Sequence, residues 1–128
     1  MNLENQVVFI TGGAGGLGRA MCHEFASNGA RIIIGYRESA AAAERLAGEL
    51  MGSGHSAKEA PVENSRRLTS VADKIESEYG RLDILINNAA NDERHEPEDV
   101  TPEYWEQRLR MNLSHHFFAA QAVQPRMA

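Results

Sequence analysis

Cysteine is nearly absent from this chain. Cys22 stands alone among 128 residues, which excludes an internal disulfide framework and suits a reducing cytoplasm. Lysine is scarce too, occurring at Lys58 and Lys74 alone. Positive charge is in deficit, with 13 Lys and Arg against 18 Asp and Glu and a net charge of -5. That balance gives no basic surface for nucleic acid, so this partner class is set aside. No apolar run approaches the roughly 20 residues of a membrane helix, so a membrane is not an expected partner. The first six residues are polar and lack the basic-then-apolar order of a secretory leader. Internal repeats and long low-complexity tracts are missing as well. What remains is a 42% hydrophobic chain, long enough for one modest domain with a real core.

The apolar residues fall into a repeating order. Val7-Val8-Phe9-Ile10 is short and wholly apolar, as in a strand covered on both faces. Helical spacing follows, with Leu17, Ala20, Met21 and Phe25 on one predicted face and Asn28-Gly29 as the stop. Ile32-Ile33-Ile34 reads as a second strand. Ser39 is placed to cap a helix whose inner face is Ala43, Leu46, Ala47 and Leu50. A weaker strand is expected within residues 56–62. Asn64 or Ser65 then opens a helix bearing Leu68, Val71, Ala72, Ile75 and Tyr79, and Gly80 closes it. Residues 82–86 form the fourth strand, and residues 91–100 read as a loop. Thr101-Pro102 is a cap followed by a first-turn proline, opening helical sequence with a break near Arg110 that runs to about Val123. Strand and helix alternate four times. This order predicts an α/β fold, a three-layer doubly wound parallel sheet whose ligand crevice lies at the carboxyl ends of the strands.

Between the first strand and first helix lies Thr-Gly-Gly-Ala-Gly-Gly-Leu-Gly, residues 11–18. Glycine permits positive φ and lets a ligand approach the backbone closely. A helix start offers unpaired N–H groups and the positive end of its dipole, which suits a pyrophosphate. This context points to a bound dinucleotide.

The spacing of Gly12, Gly16 and Gly18, followed by Asn87-Asn88-Ala89-Ala90 and Met111-Asn112-Leu113, resembles the short-chain dehydrogenase/reductase family over nearly the whole chain. The resemblance implies a single NAD(P)-binding domain of Rossmann type over residues 1–128, comprising the first four strands and their helices. It implies cofactor contacts from Thr11, Gly12, Gly16, Leu17 and Gly18 on the pyrophosphate and adenosine side. Asn87 and Ala89 would lie along the adenosine and nicotinamide ribose, with Asn87 also bracing the sheet. Ala90 replaces the family's usual glycine. Pro61-Val62 stands where the family commonly has Asp-Val beside the adenine, which leaves Val62 but no acidic acceptor. After the second strand come Gly35-Tyr36-Arg37, with no acid until Glu38. Tyr36 and Arg37 therefore join the expected cofactor residues, and Arg37 favours NADP over NAD because a guanidinium can fork onto a ribose phosphate.

The family's proton donor is a tyrosine with a lysine four residues later. Neither Lys58 nor Lys74 has such a tyrosine; Gly54 and Ser70 occupy those positions. Asn112 matches the family asparagine that supports a water-linked proton path, and it is the one catalytic candidate. The chain is thus expected to be truncated before the Tyr-x-x-x-Lys region and inactive by itself, the fourth strand forming an exposed edge that favours poor solubility or pairing with another chain. A homo-oligomer is expected in the intact parent. A non-catalytic nucleotide-binding or interaction module is the alternative. Asn91, Asp92, Arg94 and His95, with Tyr104-Trp105 and Arg108, resemble sugar dehydrogenases of the family, while the first ninety residues are equally similar to 3-oxoacyl carrier-protein reductases. The expected substrate is an alcohol or carbonyl compound, a sugar among the options. No metal site is expected: His115 and His116 are adjacent and diverge by about 100° on a helix.

Overall fold

The computed structural model describes residues 1–91 and 94–127. Four strands form one sheet: β1 (Val7–Ile10), β2 (Arg31–Tyr36), β3 (Ser56–Glu59) and β4 (Ile84–Ile86). The helices are α1 (Gly16–Ser27), α2 (Ala40–Glu49), α3 (Ser65–Tyr79), α4 (Pro102–Leu109) and α5 (His115–Val123). A π-helical turn, Arg110–Ser114, joins α4 to α5, and short 3-10 turns occupy Pro97–Asp99 and Gln124–Arg126. The strand order is β3-β2-β1-β4 and every pairing is parallel. β1 is inside the sheet and β4 is an edge.

Alternation along β1 sends its side chains into two cores. Val7 and Phe9 join Leu68, Val71, Ala72 and Ile75 of α3 and Ala119, Ala122 and Val123 of α5. Val8 and Ile10 join Cys22 and Ala26 of α1 and Ala43 and Leu46 of α2. The result is three layers, with α1 and α2 on one face and α3 and α5 on the other. Because both faces are covered, all four β1 residues are buried, and the run carries no polar position.

Element ends follow the sequence closely. The Asn64 side chain accepts from Arg67 N at 3.2 Å, and Gly80 closes α3 in the left-handed conformation at φ 75°. The Thr101 hydroxyl accepts from Tyr104 N at 3.1 Å, with Pro102 next in the first turn. The break expected near Arg110 is the π-helical turn. Two strands are shorter than expected. β3 ends at Glu59, and residues 60–62 turn inward as buried connectors. β4 begins at Ile84 because Leu82 is drawn under α3 and the Asp83 carboxylate accepts from Val7 N at 2.8 Å. The bidentate Arg81 guanidinium, bonded at 2.7 and 2.8 Å, holds that carboxyl below its ordinary range.

The inner face of α1 differs from the expected one. Leu17 is 71% exposed and Ala20 is exposed, while the buried positions are Gly18, Cys22 and Ala26. Met21 and Phe25 are half-buried against the same core. The cause is distance: α1 starts so close to the sheet that only small residues, four apart, fit between them. A Cβ on Gly18 would lie 2.5 Å from Gly12 O and 2.7 Å from Asn88 Nδ2.

These faces separate in a stability measurement. Leu68→Ala, at a position 1% exposed, is expected to cost about 2–5 kcal/mol. Leu17→Ala is expected to stay within about 0.5 kcal/mol of the parent. Urea midpoints at constant slope report both, and equal losses would contradict the assignment of faces.

Candidate functional site

The carboxyl ends of β1, β2 and β4 open into a crevice of about 430 Å³. Its floor is stitched by Thr11, which is fully buried. Thr11 N and Oγ1 both donate to Ile86 O, at 3.1 and 3.4 Å. The same Oγ1 accepts from Asn88 N at 3.1 Å and Ala89 N at 3.2 Å. Asn88 Nδ2 then donates to Gly12 O at 2.9 Å. Together these bonds lock the exit of β1 to the exit of β4.

Each glycine of the loop has a separate task. Gly12 has φ 63°, and a Cβ there would lie 2.9 Å from Ala89 Cα. Gly18 admits the helix to the sheet, as described above. A Cβ on Gly16 would meet nothing within 4 Å, so this glycine faces open space. Some loop amides are used internally: Gly13 N donates to Gly35 O at 3.1 Å and Gly15 N to Gly12 O at 3.3 Å. The first intrahelical bond of α1 runs from Arg19 N to Gly15 O. The N–H groups of Gly16, Leu17 and Gly18 therefore precede any intrahelical acceptor, and the N-cap Gly15 has no side chain to cap them. An uncapped helix start at a crevice is an anion site in electrostatic terms.

The crevice runs from Arg37 and Ser39, past Gly15, Gly16 and Leu17, to Asn88, Ala89, Asn91 and Met111. Gly12 and Val62 also line it, whereas Thr11, Gly18, Tyr36 and Asn87 do not. Tyr36 packs against the core under α1 and α2. The Asn87 amide donates to His116 O at 3.4 Å, and its buried Oδ1 has no partner. Arg37 Nε donates to Glu63 Oε1 at 3.0 Å, with the Arg37 side chain 42% exposed. Ala90 causes no backbone strain: Asn5 is the only non-glycine residue with positive φ among the described residues.

At the far end, Asn112 Oδ1 accepts from Asn91 N at 2.7 Å, and Asn112 Nδ2 donates to Asn91 O at 2.8 Å. Both polar atoms of the Asn112 amide thus hold the Asn91 backbone. Beside this pair lies a second cavity of about 450 Å³, lined by Asn91, His95, Tyr104, Trp105 and Arg108 among others. Arg94 is exposed. Asp92 lies outside the described residues. Under the crevice wall, His115 is 1% exposed and neither ring nitrogen closes a hydrogen bond. Burial, then the neighbouring His116, lowers its pKa, against smaller opposing effects of the Ala89 and Met111 carbonyls and Glu63. Burial pushes the Cys22 thiol up to about 11, and its Sγ sits 3.6 Å from Gly13 O beneath the loop. Among the described residues, no group of three or more His, Cys, Asp or Glu side chains is arranged to hold a metal ion. No described helix is long and apolar enough to cross a membrane.

The sequence profile of the family described as short chain dehydrogenase matches residues 6–128. The chain belongs to this family. A D-xylose 1-dehydrogenase of Caulobacter vibrioides is 37% identical over 98% of this chain and 50% of its own length. A "Probable galactose dehydrogenase" of Rhizobium meliloti is 36% identical over the same shares. A crystal structure of a short chain dehydrogenase from Burkholderia cenocepacia in complex with NADP superimposes with TM-score 0.90 at 25% identity, covering 100% of this chain and 53% of that one. The chain spans about half the length of the curated relatives it matches. As in the family's solved structures, its parallel sheet with flanking helices is a Rossmann-like α/β fold.

For this short-chain dehydrogenase chain, sequence reasoning passed over Asn88 in the site and His115 buried near it. Asn88 ties the glycine loop to β4, and its signal was the doubled asparagine directly after an apolar strand. His115, which opens α5 directly after the π-helical turn, is buried without a periodic signature. Its lowered pKa has a consequence with a definite sign. An unfolded histidine takes a proton near pH 6.5, whereas the buried ring resists it. Stability is therefore whole above that pH and declines as pH falls below it, toward the folded-state pKa. His115→Leu is expected to flatten this acid-side decline in melting temperatures recorded between about pH 7.5 and 5. An unchanged slope would show that His115 does not contribute.

Proposed function

We propose that this chain binds a nicotinamide dinucleotide for an oxidoreductase that interconverts an alcohol and a carbonyl, with a sugar as the favoured substrate class. The observation that carries the reading is the uncapped start of α1, open to the crevice at Gly16. The amides of Gly16 and Leu17 would hold the pyrophosphate, with Gly12 shaping the loop beneath it. Gly18 and Thr11 act from below, as packing and bracing residues. Val62 offers an apolar wall to the adenine, and Ala89 lines the nicotinamide end with Asn87 behind it. When bound, the dinucleotide supplies or accepts a hydride. The chain's own residues fix its orientation along the crevice.

NADP is favoured over NAD. Arg37 lines the crevice, and its Nε bond to Glu63 anchors the guanidinium there. The solved Burkholderia relative holding NADP supports the same preference. The sugar class rests on two relatives, described as acting on xylose and galactose, and on the polar group Asn91, Arg94 and His95 beyond the end of β4. Asn112 acts by holding Asn91. No Tyr-x-x-x-Lys occurs in the 128 residues, so the step assigned to them here is binding.

A titration tests the cofactor reading. The chain is expected to bind NADP more tightly than NAD. Arg37→Ser is expected to weaken NADP by about ten-fold or more, as for loss of a charge-assisted bond, and NAD by less than about two-fold. Equal losses would remove Arg37 from phosphate recognition, and no binding of either nucleotide would overturn the reading.

Self-association belongs to the same reading. Trp105, Leu113 and Phe117 are 60–64% exposed on the α4–α5 surface, and β4 presents a free edge. Sedimentation is expected to show concentration-dependent oligomers in a reducing, cytoplasm-like buffer. A monodisperse monomer at all concentrations would contradict this.

A further inference from the structure

The two cavities meet at Asn91, which lines both. This residue lies five positions beyond the end of β4. Asn112 pairs with both the N–H and the C=O of Asn91. A third grip comes from α4, one turn earlier. Arg108 Nη2 donates to Asn91 O and, at 3.2 Å, to Asn91 Oδ1. With Asn112 Nδ2 on the same oxygen, both lone pairs of the Asn91 carbonyl are occupied. The peptide plane is held from two directions at once.

Arg108 is itself held. Its guanidinium lies 5.5 Å over the Tyr104 ring. The Tyr104 hydroxyl is 3.2 Å from His95 Nδ1, and the two rings meet edge to face at 5.2 Å. The network therefore ties residues 91 and 95, both within the loop after β4, to one face of α4. Arg108 does not line the crevice, and it reaches the crevice through Asn91.

We propose that Arg108 is a positioning residue that sets the crevice wall at the end away from Arg37. The proposal rests on the dinucleotide reading above, which puts the nicotinamide half at that end. A fork-shaped, stacked guanidinium can hold the carbonyl and the side-chain oxygen of one residue together. An ammonium reaches one acceptor at a time and does not stack as a plane.

The test compares a whole ligand with half of it. Calorimetric titrations of this chain use NADPH and 2′,5′-ADP, the latter carrying only the adenosine half. Arg108→Gln is expected to weaken NADPH by about ten-fold and to leave 2′,5′-ADP within about two-fold. Arg108→Lys is expected to fall between the parent and Arg108→Gln for NADPH, again with 2′,5′-ADP unchanged. Retained 2′,5′-ADP binding also shows that the variants are folded. Unchanged NADPH binding in Arg108→Gln overturns the proposal, as does an equal loss of both ligands, which marks a role in folding alone. Failure of the parent chain to bind either ligand instead defeats the dinucleotide reading, and the positioning role falls with it.

Discussion

The structure depends on one close approach: the first turn of α1 against the exits of β1 and β4. Two missing β-carbons make it possible. At Gly18 a side chain would run into Gly12 O, and at Gly12 it would run into Ala89. With both absent, the helix start settles over the strand ends, and Thr11 and Asn88 complete the hydrogen bonds underneath. The crevice, its uncapped amides and the exposed position of Leu17 all follow from that contact. Cys22 and Ala26 continue it along α1, where larger side chains would lift the helix from the sheet.

Much of the fold was legible because its signals are local or periodic. A four-residue apolar run announced β1. Asn64 and Gly80 bracketed α3, and Thr101-Pro102 opened α4, each through backbone chemistry within a few residues. The inner face of α1 was not legible by hydrophobicity, because the deciding quantity was side-chain size. Glycine, cysteine and alanine at four-residue spacing carry little hydrophobic signal. The short β4 escaped for a different reason: Asp83 is committed to Val7 N, a partner 76 residues away.

The candidate site divides in the same way. Its glycine loop is contiguous and could be read as a unit. Its far end is assembled from Asn91, Arg108 and Asn112, which meet across 17 and 21 residues of chain. No spacing rule predicts such a meeting. The sequence offered Asn112 as a motif match, whereas its two-handed hold on a backbone is visible only in three dimensions. The crevice consequently has two kinds of wall: backbone amides at its centre, and a side-chain network at one end.

The π-helical turn at Arg110–Ser114 has a consequence for how this segment tolerates length change. Such a turn accommodates one residue more than a regular turn. Deleting a single residue there would let α4 run on into α5 as regular helix with the phase of α5 nearly kept, because the residue removed is the extra one the turn holds. Ala119, Ala122 and Val123 would then stay at the α3 interface, whereas the same deletion in a regular turn at the start of α5 would rotate them away by about 100°. The turn is therefore the place along α4 and α5 where a one-codon gap is absorbed, whereas the same gap in the regular turns on either side resets the phase of α5.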